Sequence, residues 1–341
     1  MQASYYNCDK TFTLGACAPV EPKAGEARVR VAYCGLCGTD LHVYHGHMDA
    51  RVGCERIIGH EMSGTIEAVG EGVDHVSVGD NVVVRPLDPC NECPACTAGH
   101  NHICHKQKFL GLDTDGALQQ NWTVPAYTLH KLPQGVSLKH AALVEPAAVA
   151  CHDVNRSQLA AGEEALVIGG GPIGILIGMV ARERGANVVI SEVNEQRIEI
   201  ANQLGFTTVN PRETDVAAFI NACSEDKGAD VIFEVSGTQA GVDLMTEAAA
   251  VRCRIVMVAI HAEKPKIDLF RFFWREIELF GARVYTPQDF DDAIELIASG
   301  SIDSDAIITN VQNLDSVGET LADLSGNPTA LKSLINVAGE E

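Results

Sequence analysis

The sequence predicts an α/β protein in which a β-rich first region is followed by a doubly wound parallel sheet. Three observations carry that prediction. From about residue 160 to 285, short apolar strand-like runs alternate with helical runs, the rhythm of a parallel sheet with crossover helices. Between the first of these strands and its helix stands "GGGPIG", residues 169–174, a glycine-rich turn. Residues 1–150 lack this rhythm and carry short β-branched runs between glycine-bearing turns. At 341 residues the chain exceeds one ordinary small core, so at least two domains are expected.

The elements follow in order. "ARVRVAYCG", "GTIEAVGEGV" and "GDNVVVRP" read as strands of the first region. "EALVIGG" is a short buried strand and "GILIGMVARERG" a helix with Gly185 at its C-terminal cap. "NVVIS" and the helical "NEQRIEIANQLG" come next, then "TTVN" and the helical "TDVAAFINACSEDKG". "ADVIFEVSG", the helical "TQAGVDLMTEAAAV", "CRIVMVAI" and "IELFGARVY" complete the alternation. The segment from "DFDDAIELIASG" onward is short for a core of its own and is expected to pack back on the first half. The expected divisions are 1–150, 151–285 and 286–341.

The glycine turn fits G-x-G-x-x-G through Gly169, Gly171 and Gly174, with Pro172 and Ile173 between the last two. Such a pattern is weak alone, but here a strand precedes it, a helix follows, and Glu192 ends the next strand 18 residues after Gly174. Gly169 permits the tight turn, Gly171 lets backbone approach a pyrophosphate at the helix N-terminus, and Gly174 lets helix and strand pack closely. Glu192 would accept hydrogen bonds from ribose hydroxyls and repel a 2′-phosphate, which favours NAD over NADP. Arg197 lies nearby and pulls slightly the other way, although a charge on a solvated helix face also accounts for it.

Composition excludes several classes. Forty-six acids against 25 bases give a net charge of −21, which opposes a nucleic-acid or anionic-membrane partner. Apolar runs break before about 18 residues, so no membrane-spanning helix is expected. The opening "MQASYYNCDK" has no basic stretch followed by an apolar one, so no secretory signal is read and a cytoplasmic location is expected. Thiols stay reduced there, and the 12 cysteines are read as metal ligands or buried small hydrophobes rather than disulfides.

Cys90, Cys93, Cys96 and Cys104 form C-x2-C-x2-C-x7-C within a lobe spanning residues 88–106. An iron–sulfur cradle is disfavoured, because the fourth cysteine is not followed by proline and the run does not repeat. A tetrahedral zinc with four thiolates fits best. Such a site is closed to substrate and would staple a loop that lacks a core. His100, His102 and His105 are read as surface residues beside it.

Further candidate ligands are scattered. "CGLCGTDLH" holds Cys34, Cys37, Asp40 and His42; "GHEMSG" holds His60 and Glu61; "LVEPAAVACH" holds Glu145. Together these fragments resemble the zinc-containing medium-chain dehydrogenase/reductase family. "GHEMSGTIEAVGEGV" follows its signature G-H-E-x2-G-x5-G-x2-V from Gly59 through Gly64, Gly70 and Val73. Order and spacing hold over nearly the whole chain. Glu145, in an "EP" motif, is similar to the polyol, threonine and butanediol dehydrogenase branch.

The resemblance implies a GroES-like β-rich catalytic domain, a Rossmann domain, and two zinc ions per chain. It implies a catalytic zinc held by Cys37 and His60, with Glu61 and Glu145 as candidates for the remaining places. It also implies Thr39 hydrogen-bonded to the alcohol, with a proton relay through the nicotinamide ribose to His42. The reaction implied is interconversion of a secondary alcohol or polyol and its ketone with NAD, with L-threonine or 2,3-butanediol dehydrogenase as the alternative. A homo-dimer or homo-tetramer joined near "CRIVMVAI" and "IELFGARV" is implied as well. Cys34 is expected to be packing, and His45 and His47 to lie in an exposed loop. Trp122 is a candidate pocket wall, where the family often has a Gly-Gly-aromatic turn. Val284 stands directly before Tyr285, where sorbitol dehydrogenases carry Arg-Tyr. Two other readings are weighed: a zinc-free NADPH reductase of the superfamily, opposed by Cys37, His60 and Glu192, and a non-catalytic NAD-binding protein of the same fold.

Overall fold

Short runs rich in β-branched residues, separated by tight turns, build the first strands. In the computed structural model, which describes residues 1–261, 263–326 and 330–339, β1 (Gln2–Tyr6) pairs antiparallel with β2 (Phe12–Ala16). β3 (Glu26–Gly35) buries Ala27, Val29 and Val31, alternate residues, as a strand with one face on a core requires. α1 (Gly38–Tyr44) and α2 (Asp49–Val52) follow, then β4 (Arg56–Ile57), which pairs with β1. β5 (Glu61–Val69) lies antiparallel to β3. Gly64 has no substitute there, since a Cβ would stand 2.3 Å from the Arg30 carbonyl oxygen. β6 (Asn81–Val84) extends the sheet beyond β5. β7 (Leu87–Asp88) and β8 (Lys108–Phe109) form the stem of the cysteine lobe, which carries α3 (Pro94–Thr97). β9 (Asn121–Pro125) pairs with β3, and β10 (Leu129–Lys131) with β6. α4 (Leu138–Ala141) leads to α5 (Val144–Ser157).

A second unit begins within α5. Its strands are β11 (Glu164–Ile168), β12 (Asn187–Ser191), β13 (Thr207–Val209), β14 (Ala229–Glu234), β15 (Ala249–Met257) and β16 (Glu278–Gly281). The order is β13-β12-β11-β14-β15-β16 and every pairing is parallel, a Rossmann-type sheet. The connecting helices are α6 (Pro172–Glu183), α7 (Glu195–Gln203), α8 (Val216–Cys223), α9 (Gln239–Glu247) and α10 (Leu269–Arg275). α9 stops earlier than the alanine run suggested. Ala249 already pairs with Ala229 in the sheet, so strand pairing overrides the helical preference of alanine. α10 has no counterpart in the sequence reading, because in "LFRFFWR" large apolar residues surround Arg271 on every side and leave no single apolar stripe of helical period.

The chain then returns. α11 (Pro287–Ser299), α12 (Ser304–Ile307), β17 (Ile308–Asn313), α13 (Val317–Gly326) and β18 (Lys332–Asn336) complete it. β18 pairs antiparallel with β3, so the last strand of the chain adjoins one of its first. The two units comprise residues 1–145, 286–300 and 307–341, and residues 146–285 with 301–306. The first is β-rich, with a core around Val29, Val31, Ile58, Met62 and Trp122. Among the described residues no helix is long and apolar enough to cross a membrane.

Two expectations are corrected. Cys8 and Cys54 form a disulfide, so the cysteines are not all free thiols and metal ligands. Trp122 is buried in the core and its indole N–H donates to the Asp115 carbonyl at 2.8 Å, which makes it a packing residue.

Candidate active site and metal centres

Strand register joins two distant motifs. Gly35 pairs with Glu61 and Cys34 with Met62, so the turn leaving β3 meets the residue entering β5. Cys37 Sγ lies 3.2 Å from His60 Nε2. The ligand atoms of Cys37, His60 and Glu61 all fall within 4.8 Å of one another. Cys37 also caps α1. Its sulfur accepts from Thr39 N at 3.2 Å, and its own N–H donates to Asp40 Oδ2 at 2.9 Å. Thr39 therefore sits inside the first turn, one residue past its start.

Asp40 is fully buried, and its Oδ1 stands 3.8 Å from His60 Nδ1. An acid on that side favours a proton on Nδ1, so Nε2, the atom facing Cys37, is the one that would give its lone pair to a metal. Burial pushes the Cys37 thiol up. Burial alone would lower His60, but the charges of Cys37 and Asp40 outweigh it and hold the imidazole well above its ordinary value. His60 Nδ1 and Asp40 Oδ1 are buried and neither makes a hydrogen bond. A thiolate, an imidazole and a carboxylate packed this closely fit a divalent cation of borderline softness, whose charge offsets their desolvation. The Phe109 ring, at the end of the lobe stem, meets His60 edge to face at 5.1 Å between centroids.

Glu61 forms an ion pair with Lys332 Nζ, and both side chains are almost wholly buried. Burial alone would lower the Lys332 ammonium, but the charge of Glu61 outweighs it and raises it. Lys332 belongs to β18, and no sequence motif pointed to it. Glu145, in the first turn of α5, is buried outside the three-donor cluster; its charge acts on both His60 and Lys332. The four residues grouped from the sequence thus stand as three donors and one neighbouring carboxylate. Thr39 and His42, three apart on α1, share a face; Thr39 is half-buried and His42 exposed. Cys34 is buried in the core.

In the lobe, Cys93 Sγ lies 3.5 Å from Cys96 Sγ and 3.8 Å from Cys104 Sγ, and Cys104 Sγ lies 3.4 Å from Cys90 Sγ. Four sulfurs around zinc at about 2.3 Å would stand roughly 3.8 Å apart, so the knot is already near tetrahedral dimensions. Backbone N–H groups of Cys90 and Lys106 donate to Cys104 Sγ, and that of His105 to Cys93 Sγ. Donation from the Cys96 and His105 backbone pulls the Cys93 thiol down to about 6. Among the described residues, Ala95 is the one non-cysteine hydrophobic packed against this cluster, so a bound ion would be the lobe's interior. His100 and His105 are exposed and His102 half-buried.

In the second unit, Gly169 leaves β11 with φ 110°, and Gly171 caps α6 with Pro172 at its first position. A Cβ on Gly174 would stand 1.9 Å from the Gly169 carbonyl oxygen, so only glycine fits. Beside Gly171 the space is open: a Cβ there would have Arg197 Nη1 as its near neighbour, at 3.7 Å. Ile173 lies in the first turn of α6. Glu192 is buried; its Oε2 accepts from Gly170 N at 2.7 Å, and its Oε1 from Val193 N at 2.7 Å and Asn194 N at 2.9 Å. Arg197 Nη1 stands 3.9 Å from Glu192, and its Nε is a buried donor without an acceptor. The Arg197 side chain is thus partly buried and lies beside Glu192 and Gly171. The open backbone turn and the buried acid after β12 suit the pyrophosphate and ribose of a dinucleotide.

Residues 23–134 match the family Alcohol dehydrogenase GroES-like domain, and residues 172–299 match Zinc-binding dehydrogenase. The chain is 54% identical over 341 residues, covering 100% of both chains, to the 2-dehydro-3-deoxy-L-galactonate 5-dehydrogenase of Pseudoalteromonas atlantica. The crystal structure of 2R,3R-butanediol dehydrogenase from Bacillus subtilis superposes with a TM-score of 0.91 at 29% identity, covering 98% of this chain and 99% of that one. An alcohol dehydrogenase from Escherichia coli CFT073, complexed with NADH, superposes with a TM-score of 0.90 at 26% identity, covering 98% and 99%.

Proposed function

The chain belongs to the zinc-containing medium-chain dehydrogenase/reductase family, and we propose that its substrate is a sugar acid oxidised at a secondary hydroxyl, as in 2-dehydro-3-deoxy-L-galactonate. It is a zinc-binding, NAD-linked dehydrogenase acting on the CH–OH group of a secondary alcohol or polyol. The sugar-acid reading rests on the full-length 54% identity to the relative of that name.

The roles of individual residues are part of the proposal. Zinc held by Cys37 and His60, with Glu61 and Glu145 as its carboxylate partners, would polarise the hydroxyl oxygen, while a dinucleotide on Gly169–Gly174 would supply the hydride acceptor. Asp40 orients His60 through Nδ1. Thr39 hydrogen-bonds the substrate hydroxyl, and His42, one turn on and exposed, carries the proton to water. Glu192 and Arg197 receive the ribose side of the dinucleotide, and Glu192 selects NAD over NADP. Cys90, Cys93, Cys96 and Cys104 hold a closed structural zinc. The working division into a catalytic region, a dinucleotide region and a C-terminal return follows the same roles.

The proposal includes a homo-dimer or homo-tetramer. Phe270, Phe273 and Trp274 of α10 are 66%, 76% and 71% exposed, beside β16 at the sheet edge. A cluster of large exposed aromatics on one seven-residue helix suits burial by a second copy. A cytoplasmic location is retained for the thiolate ligands, against which the Cys8–Cys54 disulfide stands as the one contrary feature.

A panel of 2-dehydro-3-deoxy-L-galactonate, other sugar acids, neutral polyols, 2,3-butanediol and L-threonine with NAD tests the substrate. The sugar acid should give the highest kcat/KM. A neutral diol or L-threonine outranking it would overturn the sugar-acid reading, and no NAD-linked turnover on any member would overturn the assigned chemistry.

A further inference from the structure

We propose that His42 and His47 form a third cation site, a chelating pair for zinc or a similar divalent transition metal, whose occupation blocks proton exit from the enzyme. The blocking consequence rests on the relay role given to His42; the binding site itself does not.

The site is built by the end of α1. Gly46 adopts φ 77° directly after the helix, and two backbone bonds close the turn: Gly46 N to Val43 O at 2.8 Å and His47 N to His42 O at 3.0 Å. These are the paired bonds of a Schellman motif, which carries the residue after the glycine back over the third-last residue of the helix. That motif commonly brings two apolar side chains together at these positions. Here both are histidines.

Their Nδ1 atoms lie 3.4 Å apart. Two nitrogens bound to one tetrahedral zinc at about 2.0–2.1 Å would be separated by roughly 3.3–3.4 Å. The backbone hydrogen bonds hold the two positions together, and the rings they carry already stand at the span that a shared ion needs. Both rings are exposed, so water can complete the coordination. In the free pair, one Nδ1 carries a proton shared with the other. Metal binding moves that proton to Nε2 through solvent and leaves both Nδ1 lone pairs on the ion, with no net proton change.

His45 shows the contrast. It lies in the same turn, with its ring 5.7 Å from His47, but its Nε2 is bonded to Ser325 Oγ at 2.9 Å. It is turned to another partner and serves as the control.

An occupied pair removes the His42 lone pair from proton transfer. Positioned proton-transfer groups contribute about 10²–10⁴ in rate, so saturating zinc should lower turnover by about tenfold or more. The test uses the zinc-replete enzyme, dialysed against rising ZnCl2, with metal content and kcat measured on the same samples. Wild type and His45→Gln should rise from two to three ions per chain and lose turnover in step. His47→Gln should keep its basal rate, stay at two ions and resist inhibition. Failure of wild type to take up a third ion overturns the site, as does equal uptake by His47→Gln. Uptake without loss of turnover overturns the block. His42→Gln measured without added zinc separates the readings: an unchanged rate and pH profile would refute the relay itself, whatever the metal content.

Discussion

The Glu61 carboxylate is paired with the Lys332 ammonium where both side chains are almost wholly enclosed, beside Cys37 and His60. The ion pair ties β5 to β18, and the backbone ladder ties β18 to β3. Removing one member strands the other. Lys332→Met should destabilise the protein by about 3–5 kcal/mol in denaturant unfolding. The double variant with Glu61→Gln should recover most of that loss, because neither charge is then buried alone. Equal losses in the single and double variants would show that Lys332 acts through packing.

Cys37→Ser should abolish turnover and leave NAD affinity, measured by calorimetry, within about twofold of wild type, a difference of roughly 0.4 kcal/mol. The ligand and the glycine turn belong to different units, so the two measurements separate cleanly. Wild-type turnover in this variant would remove Cys37 from the catalytic centre.

Metal analysis of protein prepared without excess zinc should give two zinc ions per chain. Cys96→Ser should reduce this to one and lower Tm, since a lobe without apolar interior depends on the ion. Iron in place of zinc, or two ions retained in the variant, would contradict the four-thiolate site.

Glu192→Ala should lower the NAD-over-NADP ratio of kcat/KM by about tenfold or more, equivalent to roughly 1.4 kcal/mol. The change removes the negative charge that disfavours a 2′-phosphate, while Arg197 remains beside the turn. It also leaves the N–H groups of Gly170, Val193 and Asn194 without their acceptor. NAD affinity should therefore fall in absolute terms too. An unaltered ratio would take cofactor selection away from Glu192.

The bidentate pair between Arg51 and Asp113, with both bonds at 2.7 Å, predicts a pH-dependent contribution to stability. The hydrogen bonds from Arg51 hold the Asp113 carboxyl below its ordinary range. A depressed folded pKa means stabilisation present above the unfolded value of about 3.9 and lost as pH falls through the folded value. Arg51→Ala should cost up to about 1 kcal/mol at neutral pH, given the partial exposure of the pair. The gap between variant and wild type should close below about pH 4. A gap that stays constant with pH would assign the effect to lost packing.

Local motifs made much of this molecule legible. The glycine turn with its flanking strand and helix, and the four-cysteine lobe, each place their chemistry within a short stretch, so local spacing exposes them. Cys37 and His60 required the signature as well, because β3–β5 register and not proximity in sequence brings them together. Lys332 was invisible: "ALKSLIN" reads as a strand, and a lysine there reads as surface until β18 is seen against β3. α10 was missed because its four aromatics fall on all sides of a seven-residue run and leave no apolar stripe, and Trp122 was misplaced because a large ring suits a core as well as a pocket. The Cys8–Cys54 bond depended on a spatial meeting that neither cysteine's neighbours announce.

The place of β18 also has a consequence for how the enzyme is made. Cys37, His60 and Glu61 leave the ribosome early, but the strand that flanks them and the lysine that neutralises Glu61 are translated only after the whole dinucleotide unit. At about 5–20 residues per second, that interval is on the order of tens of seconds. During it the Glu61 carboxylate has no ammonium to face, and the edge of β3 that will receive β18 is an unpaired strand edge. The nascent chain therefore carries an incomplete metal pocket and an open β edge together, and the last strand closes both at once.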